Sequence, residues 1–293
     1  MADASLNVRQ APLDREEYVE QAYFFRVYRE RLEAKVSAQA ILSSIHEELL
    51  STTKLPMAVQ FLTGEILLTG RLGDGMARLP HYFSAFQTYV MRMAEEDRSK
   101  FELKTALHVL EREAAYRTES PTPAGLFVYQ FECLSRNRLG YDRGLEAMAA
   151  DSMYDETWRE WAKKIRRLLG AADFADLIFS RSEYYLNEQR RKRKNPDFQP
   201  KFPILFGAKE GRIAFANRGK DALYMFAALQ RHLNYPQVPF SKPATGIERD
   251  IPMLQAKIEQ LEKRIQLIES ELKGSLDLSQ FYAKPVSEVV VPE

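Results

Sequence analysis

The chain has 293 residues, 45% of them hydrophobic, 28% charged and 11% aromatic, with a formal net charge of +1. This composition is that of ordinary globular material rather than a disordered polymer and supplies enough apolar material for one large domain or two medium ones. The near-neutral balance excludes a global field toward nucleic acid or an anionic membrane, so any polyanion binding must rest on a local patch.

The opening residues MADASLNVRQAPLDREE lack a basic stretch followed by an apolar run, so no secretory signal is read there. A flexible leader is expected over 1–13. Asp14 then suits the cap of a helix reaching about Lys35, whose apolar residues Tyr18, Ala22, Phe25 and Leu32 are flanked by Val19, Tyr23 and Phe24. Ser37 caps a second helix to about Ser51. Pro56 opens a third, which Gly70 stops, and RLGDG (71–75) reads as a turn.

Pro80 is expected to open a fourth helix, and Ser99 with Glu102 forms a capping box before a fifth over about 100–117. Pro123 begins a sixth, ending at Gly140, and a short helix covers 142–149. DETWREWAKKIRRLLG, closed by Gly170, is the next, followed by one long helix over about 172–194. Helix upon helix joined by short breaks, with no fixed internal period, predicts an all-α fold, either a bundle or an irregular helical stack, over 14–195.

The character then changes. Residues 196–235 combine an aromatic and Gly/Pro-rich strap with a helix at about 220–233. Within the strap FPILF and RIAFA read as two short strands of a hairpin around AKEG. A Pro-rich linker, 236–249, separates this part from a helix over 250–274, and a flexible tail is expected over 275–293.

The helix at 250–274 carries a heptad seam. Ile251, Ile258, Ile265 and Leu272 occupy the a positions, and Leu254, Leu261 and Ile268 the d positions. Mostly Ile at a with Leu at d favours a parallel two-stranded coil. Lys257 and Arg264 at g precede Glu262 and Glu269 at e, so parallel copies pair Lys257 with Glu262 and Arg264 with Glu269. An antiparallel self-pair would set like charges together. The expected partner is therefore a second copy of the chain, with packing on its own domain or on a different protein partner as the rival arrangements.

Few residues suggest chemistry. Arg190, Arg191, Lys192, Arg193 and Lys194 place five cations at a helix C-terminus, where the backbone dipole favours them. With Tyr184, Tyr185 and Arg181 nearby, they form a candidate site for nucleic acid or another polyanion, with rings open to stacking. A solvated helix end is the simpler reading of the same run. His46, His81, His108 and His232 fall in different elements without metal-ligand spacing, and no phosphate loop or nucleophile elbow is present, so neither metal nor cofactor is expected and no catalytic residue is named. Trp158 and Trp161 read as core anchors.

The lone cysteine, Cys133, sits in the apolar run LFVYQFECLS and reads as a packed thiol suited to a reducing compartment. No window approaches ~18 uninterrupted apolar residues, so a cytoplasmic chain without a membrane partner is expected. These features together predict a non-enzymatic interaction or scaffold protein that dimerises through a parallel C-terminal coiled coil. A polyanion-binding protein using 190–194 is the alternative, and an enzyme whose site carries no sequence motif is a further one.

Overall fold

The computed structural model describes residues 11–97, 99–170 and 172–241, together with Ile265. The chain divides into two units, 1–241 and 242–293. The described part of the first is all-α, with thirteen helices: α1 Arg15–Glu33, α2 Ala38–His46, α3 Leu55–Thr69, α4 Leu72–Ala77, α5 Ala85–Glu95, α6 Leu103–Arg117, α7 Pro123–Asn137, α8 Tyr141–Ala149, α9 Glu156–Leu168, α10 Phe174–Ser180, α11 Glu183–Arg193, α12 Ala208–Ala216 and α13 Ala222–Leu233.

The strongest helix pairing is α1 along α6. Its physical cause is the breadth of the α1 apolar face, which buries Phe24, Phe25, Val27 and Tyr28. Two acidic residues of α1 are buried as well, each with a job. Glu17 accepts hydrogen bonds from the backbone N–H of Lys54 (2.9 Å) and from the Tyr82 hydroxyl (2.9 Å), and Glu20 accepts from the N–H of Leu50 (3.0 Å). A carboxylate at a helix N-terminus satisfies an otherwise orphaned donor and complements the dipole, so Glu17 fixes where α3 begins.

α7 is the buried centre of the second half, with every residue from Ala124 to Leu134 out of solvent. Thr122 accepts from the N–H of Gly125, and Pro123 occupies the first turn, where its missing donor costs nothing. α8, α9 and α13 assemble around it. Phe127 sits 5.4 Å from Trp158 and 4.8 Å from Trp161, and both indoles also meet Phe206. The tryptophans are core anchors, as expected. After α13 the chain turns back over the domain. The Tyr235 hydroxyl donates to Glu132 (2.6 Å), the Asn137 amide donates to the carbonyl of Pro239 (3.0 Å), and the hydroxyls of Ser241 and Thr105 lie 2.8 Å apart.

Several expected elements differ. Asp14 holds the N-cap position of α1 without a side-chain cap bond, and α2 ends at His46, five residues short of Ser51. RLGDG is not a turn: its glycines let α4 wind tightly between its neighbours. A Cβ on Gly75 would sit 2.7 Å from Leu62 Cδ2, and one on Gly73 would sit 3.0 Å from the backbone nitrogen of Arg92. The helix expected from Pro80 begins only at Ala85, because Ser84 and Gln87 form a reciprocal capping box. No box forms between Ser99 and Glu102. Ser99 accepts instead from the N–H of Phe101, and Glu102 itself holds the N-cap position of α6.

The single helix expected over 172–194 is two. At the break the carbonyl of Arg181 accepts from the N–H groups of Leu205 (2.8 Å) and Phe206 (3.1 Å), while Glu183 N–H donates to the carbonyl of Phe206 (2.9 Å). The β-hairpin reading of 202–216 is also corrected. FPILF is extended and pairs only at an isolated Ser182–Phe206 bridge, whereas RIAFA lies inside α12. Five-residue apolar runs do not distinguish a strand from a short helix, and here Gly211 and Ala214 form the buried side of a helix.

Candidate interaction surface

The most unusual surface of the domain is on α3. Its fifteen residues, LPMAVQFLTGEILLT, include a single charged side chain, Glu65. That residue points inward, and Arg78 reaches it at 2.7 Å. One face of the helix, Leu55, Ala58, Val59 and Leu62, is buried, with α2 and α4 its main neighbours. The opposite face carries Met57 (69% exposed), Phe61 (38%), Leu67 (61%) and Leu68 (80%), with Gln60 and the open Gly64 among them.

A helix that is apolar on all sides is ordinarily covered on all sides. Here the outer stripe is left exposed by the described residues, and Leu50, also exposed, lies just before it in the chain. Contiguous apolar surface of this kind marks a contact site more often than scattered single residues do. The sequence reading placed the helix but passed over the stripe. The signal was present: a fifteen-residue helix with one charged side chain has no polar face to offer water.

The basic run is placed at the C-terminal end of α11, a helix that buries none of its residues. Three of its five cations are engaged locally. Arg190 donates from Nε to the carbonyl of Phe198 (3.1 Å), Arg191 pairs with Glu188 at 3.1 Å, and the Arg193 guanidinium lies 4.3 Å from the centroid of the Phe198 ring. Lys194 adopts a left-handed conformation (φ 51°) that closes the helix. Lys192 and Lys194 have no ion-pair partner among the described residues. The nearby rings are not open stacking platforms. Tyr184 and Tyr185 are half-buried against Phe179, while Arg181 covers Phe202 at 4.3 Å. Burial pushes the Arg181 guanidinium below its ordinary pKa.

The dimerisation residues named from the heptad seam lie outside the described residues, apart from Ile265, which is helical and 54% exposed. The four histidines remain apart. His46 ends α2, His81 precedes α5, His108 on α6 accepts from Arg112 (3.3 Å), and His232 on α13 faces Glu210 (3.3 Å). Among the described residues no three His, Cys, Asp or Glu side chains are grouped to hold a metal ion, and no helix is long and apolar enough to cross a membrane. No protein-family model matches the chain, and no curated protein or solved structure is significantly similar to it.

Proposed function

We propose that the chain is a non-enzymatic helical interaction protein that self-associates. The observation that supports this best is the bare apolar stripe on α3. Its positions Met57, Phe61, Gly64 and Leu68 are spaced four, three and four residues apart, so the pattern is the same read from either end. Two copies packed antiparallel about the midpoint between Leu62 and Thr63 would place Phe61 of each against the gap at Gly64 of the other. Met57 would then meet Leu68. A surface that is complementary to itself is what a two-fold contact between identical chains requires. The heptad seam at 251–272 supports the same reading independently, through its a and d residues and its Lys257–Glu262 and Arg264–Glu269 pairing.

Light scattering of the full-length chain tests this. The expected result is a dimer, weakened by Phe61→Glu with Leu68→Glu, or by Ile258→Lys with Ile265→Lys, and abolished when both pairs are combined. A wild-type chain that remains monomeric at every concentration reached would overturn the proposal.

A second reading, polyanion binding at 190–194, is favoured by the exposure of Lys192 and Lys194 at the end of α11. Association with single-stranded nucleic acid should then fall steeply with salt and vanish when residues 190–194 are neutralised. No binding at low salt would remove it.

A further inference from the structure

A cleft of about 850 Å³ opens between α5, α8 and α9, with Leu13 and Tyr18 along one side. Its size falls within the range that accommodates a small organic molecule. Its lining is cationic. Arg92 and Arg143 stand on α5 and α8, Arg159 and Lys163 on α9, and Arg117 on α6 comes to the same cavity from the core.

These cations are not equally committed. Arg117 is paired in the core with Asp151 and Glu113 (2.9 Å), Arg92 is held by Asp74 at 3.0 Å, and Arg143 stands 3.9 Å from Glu96. Arg159 and Lys163 have no ion-pair partner among the described residues. They are four residues apart on one helix and so share a face, where two like charges oppose helix formation unless something between them is negative. Of the two acidic residues on the lining, Glu146 is drawn toward Arg166 at 3.7 Å, which leaves Glu156 against the group.

An independent observation points the same way. Two buried guanidinium N–H groups have no hydrogen-bond partner among the described residues, Nε of Arg117 and Nε of Arg159, and both residues line this cleft. The Arg117 side chain is only 2% exposed. Buried donors are almost always satisfied, so these two mark guanidinium groups on the cleft wall whose hydrogen-bonding capacity is not used up within the described residues. The Thr88 hydroxyl, on α5, adds a further polar group to the wall.

We propose that this cleft binds a small phosphorylated organic molecule, its phosphate seated on Arg159 and Lys163. A guanidinium offers the forked donors that suit phosphate oxygens, and a lysine ammonium adds a compact charge beside it. Tyr18 and Tyr89 give the organic part apolar contact. The carboxylates of Glu146 and Glu156 at the same opening disfavour a long nucleic-acid backbone and favour a ligand with one or two charged groups.

Calorimetric titration of the full-length chain tests the assignment, with pyrophosphate, adenosine monophosphate and citrate as probes. Saturable one-to-one binding of a phosphate probe is expected, with affinity reduced at least about tenfold in Arg159→Gln and again in Lys163→Gln, since each removes one charge-assisted contact. Lys163 is exposed, so its replacement leaves the fold intact. Neutralising 190–194 should leave the titration unchanged. Failure of both phosphate probes to saturate, binding unaffected by either substitution, or citrate binding as tightly as pyrophosphate would each overturn the proposal.

Discussion

Arg117 and Asp151 face one another in the core through two guanidinium–carboxylate hydrogen bonds, one of them 3.2 Å long, with 2% and 0% of their side chains exposed. The same arginine donates to Glu113 (2.9 Å), and the Gln130 amide donates to both carboxylates, so the pair is tied into a network across α6 and α7. Removing one member of a buried pair leaves the other charge unpaired, which costs about 3–5 kcal/mol. Asp151→Asn should therefore lower the urea midpoint sharply at pH 7.

The same contact sets an acid dependence. Burial pushes the Asp151 carboxyl up, but the charge and hydrogen bonds of Arg117 pull it down further, to a value below that of an ordinary aspartate. The unfolded chain therefore takes up this proton first as pH falls. The contribution to stability is complete above the ordinary aspartate pKa of about 3.9, and is lost as pH drops from there through the folded value. Unfolding free energies measured between neutral and strongly acid pH should fall less over that window in Asp151→Asn than in the wild type. Equal slopes would show that Asp151 does not titrate differently in the two states.

Cys133 is fully buried in α7, and burial pushes its thiol pKa far up. The thiolate is the reactive form, so the native protein should be inert toward a thiol-specific reagent at neutral pH. Reaction should appear only with denaturant and track global unfolding. Rapid labelling of the native chain would contradict the packed position.

Ser84 closes the capping box of α5, accepting from the N–H of Gln87 (3.2 Å), whose side chain accepts in return from the N–H of Ser84 (3.0 Å). Ser84→Ala should cost about 1 kcal/mol, or roughly 2–4 °C in the thermal midpoint. An unchanged midpoint would mean that the box contributes nothing.

That cap also shows what the sequence conveys and what it hides. Pro80 and Ser84 are both plausible helix openers. The choice fell to Ser84 because Gln87 three residues on closes its box, a local signal, and Gln87 also bonds across to Gln21 on α1 (3.0 Å), a partner 66 residues away. The starts of α7 and α9 were legible because their signals, Thr122 with Pro123 and Asp155, are local. The break at Ser182 was not, because the backbone groups that create it belong to Leu205 and Phe206. The α3 stripe was readable in principle, since one charge in fifteen residues is a local fact. The cationic cleft was not: Arg117, Arg143 and Arg159 meet only when α6, α8 and α9 are packed, and nothing in their spacing brings them together.

Two glycines inside helices make the last expectation, because the same substitution should act in opposite directions. Replacing a helical glycine by alanine ordinarily stabilises by about 0.5–1 kcal/mol, through the loss of unfolded-state freedom. At Gly64 on α3 a new Cβ meets nothing within 4 Å among the described residues, so Gly64→Ala should raise the thermal midpoint of the isolated chain. If α3 pairs with its own copy, the added methyl also fills the gap meant for the partner's Phe61, and self-association weakens while the fold strengthens. At Gly211 on α12 the Cβ would collide with the Cβ and Oγ of Ser182 and stand 2.8 Å from Cβ of Tyr184. Ser182 cannot yield, because its hydroxyl donates to the carbonyl of Phe179 (2.7 Å) and accepts from the N–H of Tyr185 (3.2 Å) at the α10–α11 break. Gly211→Ala should therefore destabilise by about 1–3 kcal/mol, as overpacking does. Thermal melts of the two variants, read beside light scattering of Gly64→Ala, check both signs. A gain in dimer mass for Gly64→Ala would argue against a two-fold contact at α3, since only a close helix approach makes that glycine necessary.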